Sequence, residues 1–362
     1  MQCGRFILKT AQIIISYIFL LPTKTFDYFC CMLDIKYKKI NTEFHYPFTT
    51  AHGLKTHQPA LLVAISFNGF MGIGEAPAIV YYDVTVDSMI AELNEKVHVL
   101  ERYAFTEPDR FWHFCHHLFP NNPFLVCALD IAYWNLYTQF KRKSVTELWS
   151  LSPALKVANP PLTDYTIGID HIEKMIEKMK ANPSPIYKIK LGTPEDMAII
   201  QTLRQHTDAP FRVDANASWD LETALEMIPK LKNLGVELIE QPLAKENWEG
   251  MKILKAQSSL PLFADEACVS EHVVKKCAEV FDGINIKLTK CSGITPAIRM
   301  IEEARQLNLQ VMMGCMNETE IGSVAIAHFI PWLDYVDMDG PLLLKVGELK
   351  QLHYDFGKVT FK

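Results

Sequence analysis

Eight short apolar runs between Tyr165 and Gly340 recur at intervals of roughly 21 to 27 residues, each of the first seven leading into helical patterning. They read YTIGID, YKIKLG, FRVDAN, VELIEQP, LFADE, GINIKL, QVMMGCM and YVDMDG. That interval is the length of a β-strand plus a crossover helix, and strands joined by such crossovers pair in parallel. Eight of them suffice to close a parallel sheet on itself, so the spacing predicts a TIM-type barrel over residues 160–340. The rival is an open doubly wound sheet, but no GxGxxG and no P-loop opens any of the helices.

Parallel strands end on one face, so charged residues that close the runs converge there whatever their separation in sequence. In chain order they are Lys190, Asp214, Glu240, Asp265 and Lys287. Three carboxylates on successive strands, with neither His nor Cys among them, describe a hard-cation site of the magnesium kind, and without a cation they would repel one another. Lys190 and Lys287 lie four strands apart in such a barrel and so on opposite sides of the acids, the arrangement of two bases facing one carbon. Lys188 shares a strand face with Lys190, and like-charge proximity is expected to lower a lysine there toward the range of a general base. Lys290 is an alternative to Lys287, which is preferred because it ends the apolar run INIK. On the last strand Asp337 and Asp339 also share a face, a pair suited to gripping a substrate ammonium.

The chain ahead of the barrel has another rhythm. DIKYKKINTEF alternates polar with apolar, ALLVAISF reads as a second strand and GFMGIGEAP as a Gly-rich third edge. Helical patterning then takes over, with Val126, Leu129, Ala132, Tyr133 and Leu136 on one stripe. This predicts an α+β domain over residues 32–155, closed by the paired prolines of KVANPPLT. Between its first strands PFTTAHGLKTHQP reads as a polar loop carrying His52, Lys55 and His57, a candidate lid. Residues 341–362 carry a short strand expected to pack back on this domain. Residues 1–31 combine Arg5 and Lys9 with the apolar run AQIIISYIFLLP. They read as a leader, a membrane anchor or, preferred, an upstream extension from a start codon placed too early.

A net charge of −6, with Lys and Arg dispersed among Asp and Glu, excludes a nucleic-acid face and suits a small polar ligand. Nine cysteines without CxxC spacing point to reduced thiols and a cytoplasmic setting; membrane association is expected only if residues 1–31 are a true leader. A homo-oligomer is compatible with all of this.

The ordered set of GxGEAP at Gly72 to Pro77, KxK at Lys188 to Lys190, DAN, EQP, ADE and IKLTKCSG resembles the enolase superfamily, in its muconate-lactonizing subgroup. The resemblance runs from Met32 to the C terminus. It implies a (β/α)7β barrel with an α+β capping domain, one Mg2+ held by Asp214, Glu240 and Asp265, and Lys190 and Lys287 as acid and base. The pair Asp337 and Asp339 looks like the DxD motif of the dipeptide epimerases. By the same resemblance Thr166, Cys315 and Asn317 line the dipeptide pocket, although similar enzymes often have serine where Cys315 stands. The expected reaction inverts the α-carbon of the second residue through an enediolate stabilised by the metal and Lys188. Alanylglutamate from cell-wall peptide is the first substrate to expect, with Lys55 meeting the glutamate side chain. Other dipeptides, succinylbenzoate synthesis and N-acylamino acid racemisation are the alternatives within the subgroup. From other classes, a metal-dependent hydrolase would need an HxH on the first strand, where YTIGID has none, and a non-catalytic barrel would be expected to have lost a base or a ligand.

Overall fold

The computed structural model describes residues 32–362; the segment 1–31, with the leader or early-start reading, lies outside the described residues. Three antiparallel strands, β1 (Asp34–Thr50), β2 (Gly53–Phe67) and β3 (Phe70–Pro77), form the first sheet. Three helices cover it: α1 (Val86–Leu100), α2 (Pro108–Leu118) and α3 (Pro123–Lys141). Thr85 and Ser88 make a capping box at the start of α1, while α2 and α3 begin with Pro108 and Pro123, whose missing N–H costs nothing at a helix start. Helix α3 is apolar nearly all round because it is buried on both sides, between this sheet and the second domain.

The sheet accepts α3 at close range only because β3 has glycine where the helix crosses. A Cβ on Gly74 would come within 2.0 Å of the Ala128 carbonyl oxygen and 2.7 Å of the Ala132 nitrogen. Both are backbone atoms, so no rotamer change relieves the clash. Gly74→Ala is expected to destabilise the fold by about 3 kcal/mol, read as a lower urea midpoint at unchanged slope.

The second sheet has eight parallel strands in sequential order: β4 (Tyr165–Ile167), β5 (Tyr187–Lys190), β6 (Phe211–Asp214), β7 (Val236–Glu240), β8 (Leu262–Ala264), β9 (Gly283–Ile286), β10 (Gln310–Gly314) and β11 (Tyr335–Asp337). Each of the eight runs is a strand. Seven crossover helices join them: α4 (Ile172–Ala181), α5 (Asp196–Arg204), α6 (Leu221–Asn233), α7 (Trp248–Gln257), α8 (Val274–Val280), α9 (Ile294–Gln306) and α10 (Glu320–Ala327). A parallel bridge between Thr163 and Val336 brings the first and last strands together, giving the (β/α)7β barrel. Alternate residues face opposite ways: Tyr187 and Ile189 pack under the helices, while Leu238, Phe263 and Met312 meet inside the barrel with Tyr335.

Two acids from the first domain fix it on the barrel. Glu75 of β3 accepts hydrogen bonds from Thr319 N (2.9 Å), Thr319 Oγ1 (2.7 Å) and Gly322 N (3.0 Å) at the start of α10. Asp130 of α3 accepts from Thr295 N (3.0 Å) and Thr295 Oγ1 (2.8 Å) at the start of α9. A carboxylate at a helix N-terminus meets free N–H groups and the positive end of the helix dipole. The glutamate of GxGEAP therefore has a docking role. Burial pushes Asp130 up to about 7, against the pull of the Thr295 donors.

Two expectations need correction. The stretch PFTTAHGLKTHQP is not a loop: β1 and β2 run on to a two-residue turn at Ala51 and His52, with Thr50 opposite Gly53. Its Phe and Thr residues favour extended backbone, and Gly53 at φ +123° completes the turn. Of the tail expected on the first domain, Leu344 and Lys345 meet Phe44 and Glu43 of β1. The terminal hairpin, β12 (Leu352–Asp355) and β13 (Lys358–Phe361), instead bonds to barrel residues Glu320, Met338 and Thr163. Among the described residues no helix is long and apolar enough to cross a membrane, and the six cysteines are free and buried.

Candidate active site

Register carries the acids to one level. Lys190 lies opposite Asp214, and Asp214 opposite Glu240, on three neighbouring strands. Asp265 follows β8 and Lys287 follows β9, which is four strands from β5 in a ring of eight. The two lysines therefore stand across the barrel axis from each other. Both line a cavity of about 410 Å3 at the C-terminal mouth, beneath the β1–β2 hairpin.

Each lysine holds one acid. Lys190 Nζ lies 2.5 Å from Asp214 Oδ2, and Lys287 Nζ lies 2.5 Å from Asp265 Oδ2. Glu240, between them, accepts from Asn285 Nδ2 at 2.8 Å. Lys188, deeper in the barrel, contacts Asp337 Oδ2 (2.7 Å), Glu240 Oε2 (2.8 Å) and Asp214 Oδ2 (3.2 Å). Lys290 donates to both the side chain and the backbone of Asp265 and to Asn285 O, and it does not line the cavity. The choice between Lys287 and Lys290 thus falls on Lys287 by position.

The acids dominate the electrostatics. Burial opposes ionisation of Asp214, yet Lys190 and Lys188 outweigh it and hold the group down to about 2. Asp265 is likewise held well below the carboxylate range, against burial, by Lys287 and Lys290. Glu240 is pushed up to about 8 by burial and by its neighbour Asp214. The expected lowering of a lysine by the Lys188–Lys190 pair is not seen at Lys188. Burial alone would lower it, but Asp337, Glu240 and Asp214, all within 3.2 Å, raise it well above the ordinary value.

One oxygen from each of Asp214, Glu240 and Asp265 lies within 4.8 Å of the others. The donors are all carboxylate oxygens, and Glu240 Oε2 has no aligned hydrogen-bond donor among the described residues. This set fits a hard divalent cation.

Across the mouth, Thr166 N donates to Asp339 Oδ2 at 2.5 Å and Cys315 Sγ lies 3.8 Å from Asp339 Oδ1. Asp337 and Asp339 line the cavity, as do Thr166, Cys315 and Asn317. Of the hairpin residues, His52 and Lys55 line it, whereas His57 is exposed and does not. Lys55 is half-buried, lines the same cavity as Lys190 and Lys287, and is lowered to about 8 by burial first and then by those two lysines.

Several lining residues were not singled out from sequence: Tyr81, Tyr82, Glu266 and Met316. His52 stacks on Tyr81, centroids 4.3 Å apart, and its Nε2 lies 3.6 Å from Glu266 Oε1. The doublet Asp265–Glu266 at a strand end was a usable signal for Glu266; nothing in the pattern marked the tyrosines.

A capped parallel barrel that sets three acids fit for a cation between two opposed lysines has the groups that proton transfer at a carbon beside a carboxylate requires. Residues 171–340 match the family described as enolase C-terminal domain-like. The chain is 47% identical over 307 residues to the L-Ala-D/L-amino acid epimerase of Flavobacterium johnsoniae, covering 85% of this chain and 90% of that protein. A substrate-liganded L-Ala-D/L-Glu epimerase from Bacillus subtilis superposes with a TM-score of 0.84 at 26% identity, covering 91% of this chain and 96% of that one. A dipeptide epimerase from Enterococcus faecalis, complexed with Mg and the dipeptide L-Leu-L-Tyr, gives 0.77 at 26% identity over 87% of this chain and 92% of that one. The chain belongs to the enolase superfamily, among its dipeptide epimerases.

Proposed function

We propose that the protein is a Mg2+-dependent dipeptide epimerase that inverts the α-carbon of the second residue, with alanylglutamate of cell-wall peptide as substrate. The reading rests above all on Lys190 and Lys287, which line one cavity from opposite sides of the acid triplet. In this reading Asp214, Glu240 and Asp265 would hold the ion, which would supply stabilisation of the negative charge that develops on the substrate carboxylate. One of the two lysines takes the α-proton from one face, and the other returns a proton to the opposite face of the planar enediolate. Asp337 and Asp339 hold the amino terminus of the dipeptide, with Thr166, Cys315 and Asn317 around it. Lys188, kept charged by three acids, offers a fixed positive charge beneath the reacting carbon. Murein recycling in the cytoplasm is the setting this chemistry suits, and the free buried cysteines accord with a reducing compartment.

Incubating the protein with L-Ala-L-Glu and Mg2+ in heavy water tests this directly. The α-proton signal of the glutamate should vanish from the 1H spectrum as L-Ala-D-Glu accumulates. Absence of exchange on every dipeptide tried would overturn the reading.

Lys55 carries the choice of side chain. Its ammonium at the mouth would pair with the glutamate carboxylate, a charge-assisted bond of about 1.5–3 kcal/mol. Lys55→Ala is therefore expected to lower kcat/KM on L-Ala-L-Glu roughly 10- to 100-fold and to change L-Ala-L-Phe less than about twofold. Lys55 is a cation below its lowered value and neutral above it. The preference for glutamate should thus decline as pH rises through about 8. Equal loss on both dipeptides removes Lys55 from the site. A second reading, apolar second residues, is favoured by Leu54 and Val80, which line the same mouth at 63% and 79% exposure.

A further inference from the structure

Three residues that line the cavity have a buried oxygen without a hydrogen-bond partner among the described residues: Asp337 Oδ1, Asn216 Oδ1 and Glu266 Oε2. All three are acceptors, so the cavity is built to receive donors. Asp337 has its guest in the substrate ammonium of the proposed function. The other two have none, and leaving a buried acceptor unpaired costs about 1–3 kcal/mol each.

Asn216 and Glu266 act together. Asn216 Nδ2 donates to Glu266 Oε1 at 3.2 Å, and the residues are only 7% and 4% exposed. Each follows an acid of the triplet: Asn216 N donates to Asp214 Oδ1 at 2.9 Å, and Glu266 is the next residue after Asp265. Asn216 sits in the left-handed region, at φ 44°, which asparagine adopts more readily than most residues.

A magnesium ion takes six oxygen ligands in near-ideal octahedral geometry and gives up its waters reluctantly. With one oxygen from each acid of the triplet, three in all, and at most two from a substrate carboxylate, five of the six places on such an ion would be taken. At least one water would then stay on the ion, with two protons to place. We propose that Glu266 and Asn216 are positioning residues that accept those protons through Glu266 Oε2 and Asn216 Oδ1, and so fix the water while the dipeptide is bound. The proposal rests on the metal reading above. The alternative guest, a basic side chain on the second residue of the substrate, is less favoured because both residues are nearly fully buried and each follows closely on an acid of the triplet in sequence.

Mn2+ in place of Mg2+ gives a direct readout. With saturating L-Ala-L-Glu, the Mn2+ electron paramagnetic resonance lines of the wild-type protein should broaden in 17O-enriched water, to the extent of at least one bound water. Glu266→Ala should weaken Mn2+ binding about tenfold and speed exchange of that water, and Glu266→Gln, which keeps one acceptor, should recover part of the affinity. Loss of all 17O broadening when the dipeptide binds would overturn the proposal without touching the epimerase reading, and needs no variant. Unchanged Mn2+ affinity in Glu266→Ala, with turnover lost only on L-Ala-L-Lys, would give the two oxygens to a basic side chain. Failure of the wild type to bind Mn2+ at all would end the metal reading and this proposal together.

Discussion

Lys287→Met is expected to cut epimerisation of L-Ala-L-Glu by a factor of about 10³ or more, and Lys190→Met to do the same, while each variant still exchanges the α-proton of one epimer with solvent. A positioned acid or base contributes about 10²–10⁴ to a rate, and inversion needs both. The surviving lysine can still remove a proton from the face it meets and return one from solvent to that same face. Exchange should therefore persist for L-Ala-L-Glu in one variant and for L-Ala-D-Glu in the other, measured as deuterium uptake by mass spectrometry.

Both variants should remain folded. A buried acid stripped of its partner costs about 3–5 kcal/mol, but neither acid loses its last one. Asp265 keeps Lys290, and Asp214 keeps Lys188 at 3.2 Å and Asn216 N at 2.9 Å. An unchanged melting profile with lost inversion separates chemistry from stability. Exchange of the same epimer by both variants would put the two amines on one side of the carbon and sink the two-base reading.

The barrel and the acid triplet could be read from the chain because both depend on period and register. A strand has a two-residue alternation, so Lys188 and Lys190 had to share a face, and parallel pairing had to bring Lys190, Asp214 and Glu240 level. The acid–lysine contacts were harder to foresee. On its own strand Lys188 has only Lys190 for a charged neighbour, whereas its strongest partners, Asp337 and Glu240, come from strands six and two positions away in sequence order.

The hairpin was misread because its polar composition looks like a loop, while its hydrogen bonding depends on a partner strand that local composition does not reveal. The tail went astray for a related reason. A short two-stranded ribbon has few apolar residues to declare its neighbour: Leu352 enters the barrel core with Tyr354 and Val359 packed alongside, and Thr163, Glu320 and Met338 hold it by backbone and side-chain hydrogen bonds. Tyr81 and Tyr82 reach the cavity from a short turn of the first domain, so only the docking of two domains places them there. Glu75 and Asp130 are among the contacts that make that docking, with Trp112, Trp134 and Asp109, and GxGEAP as a motif does not say what its glutamate touches.

Removing the charge of Asp337 is expected to raise KM for L-Ala-L-Glu by a factor of roughly 30 to 3,000, the equivalent of about 2–5 kcal/mol for breaking a buried charge pair at an interface. Asp337 already gives one oxygen to Lys188, which with burial opposed holds it below the ordinary carboxylate range, so it is charged at neutral pH. Its other oxygen has no partner among the described residues, and Asp339 beside it is engaged by Thr166 N. A substrate ammonium would meet that free oxygen. Because Lys188 retains Glu240 and Asp214 in Asp337→Asn, the positive charge beneath the reacting carbon survives, and the loss should fall mainly on KM and less on kcat. An N-acetylated dipeptide supplies the control. In the wild type, acetylation should cost about as much as the substitution does, since it removes the same ion pair from the other side. In Asp337→Asn, the free and acetylated dipeptides should be turned over at nearly equal kcat/KM, the non-additivity expected of two groups in contact. If acetylation costs the variant as much as the wild type, Asp337 does not hold the amino terminus, and an N-acylamino acid becomes the better substrate class to pursue.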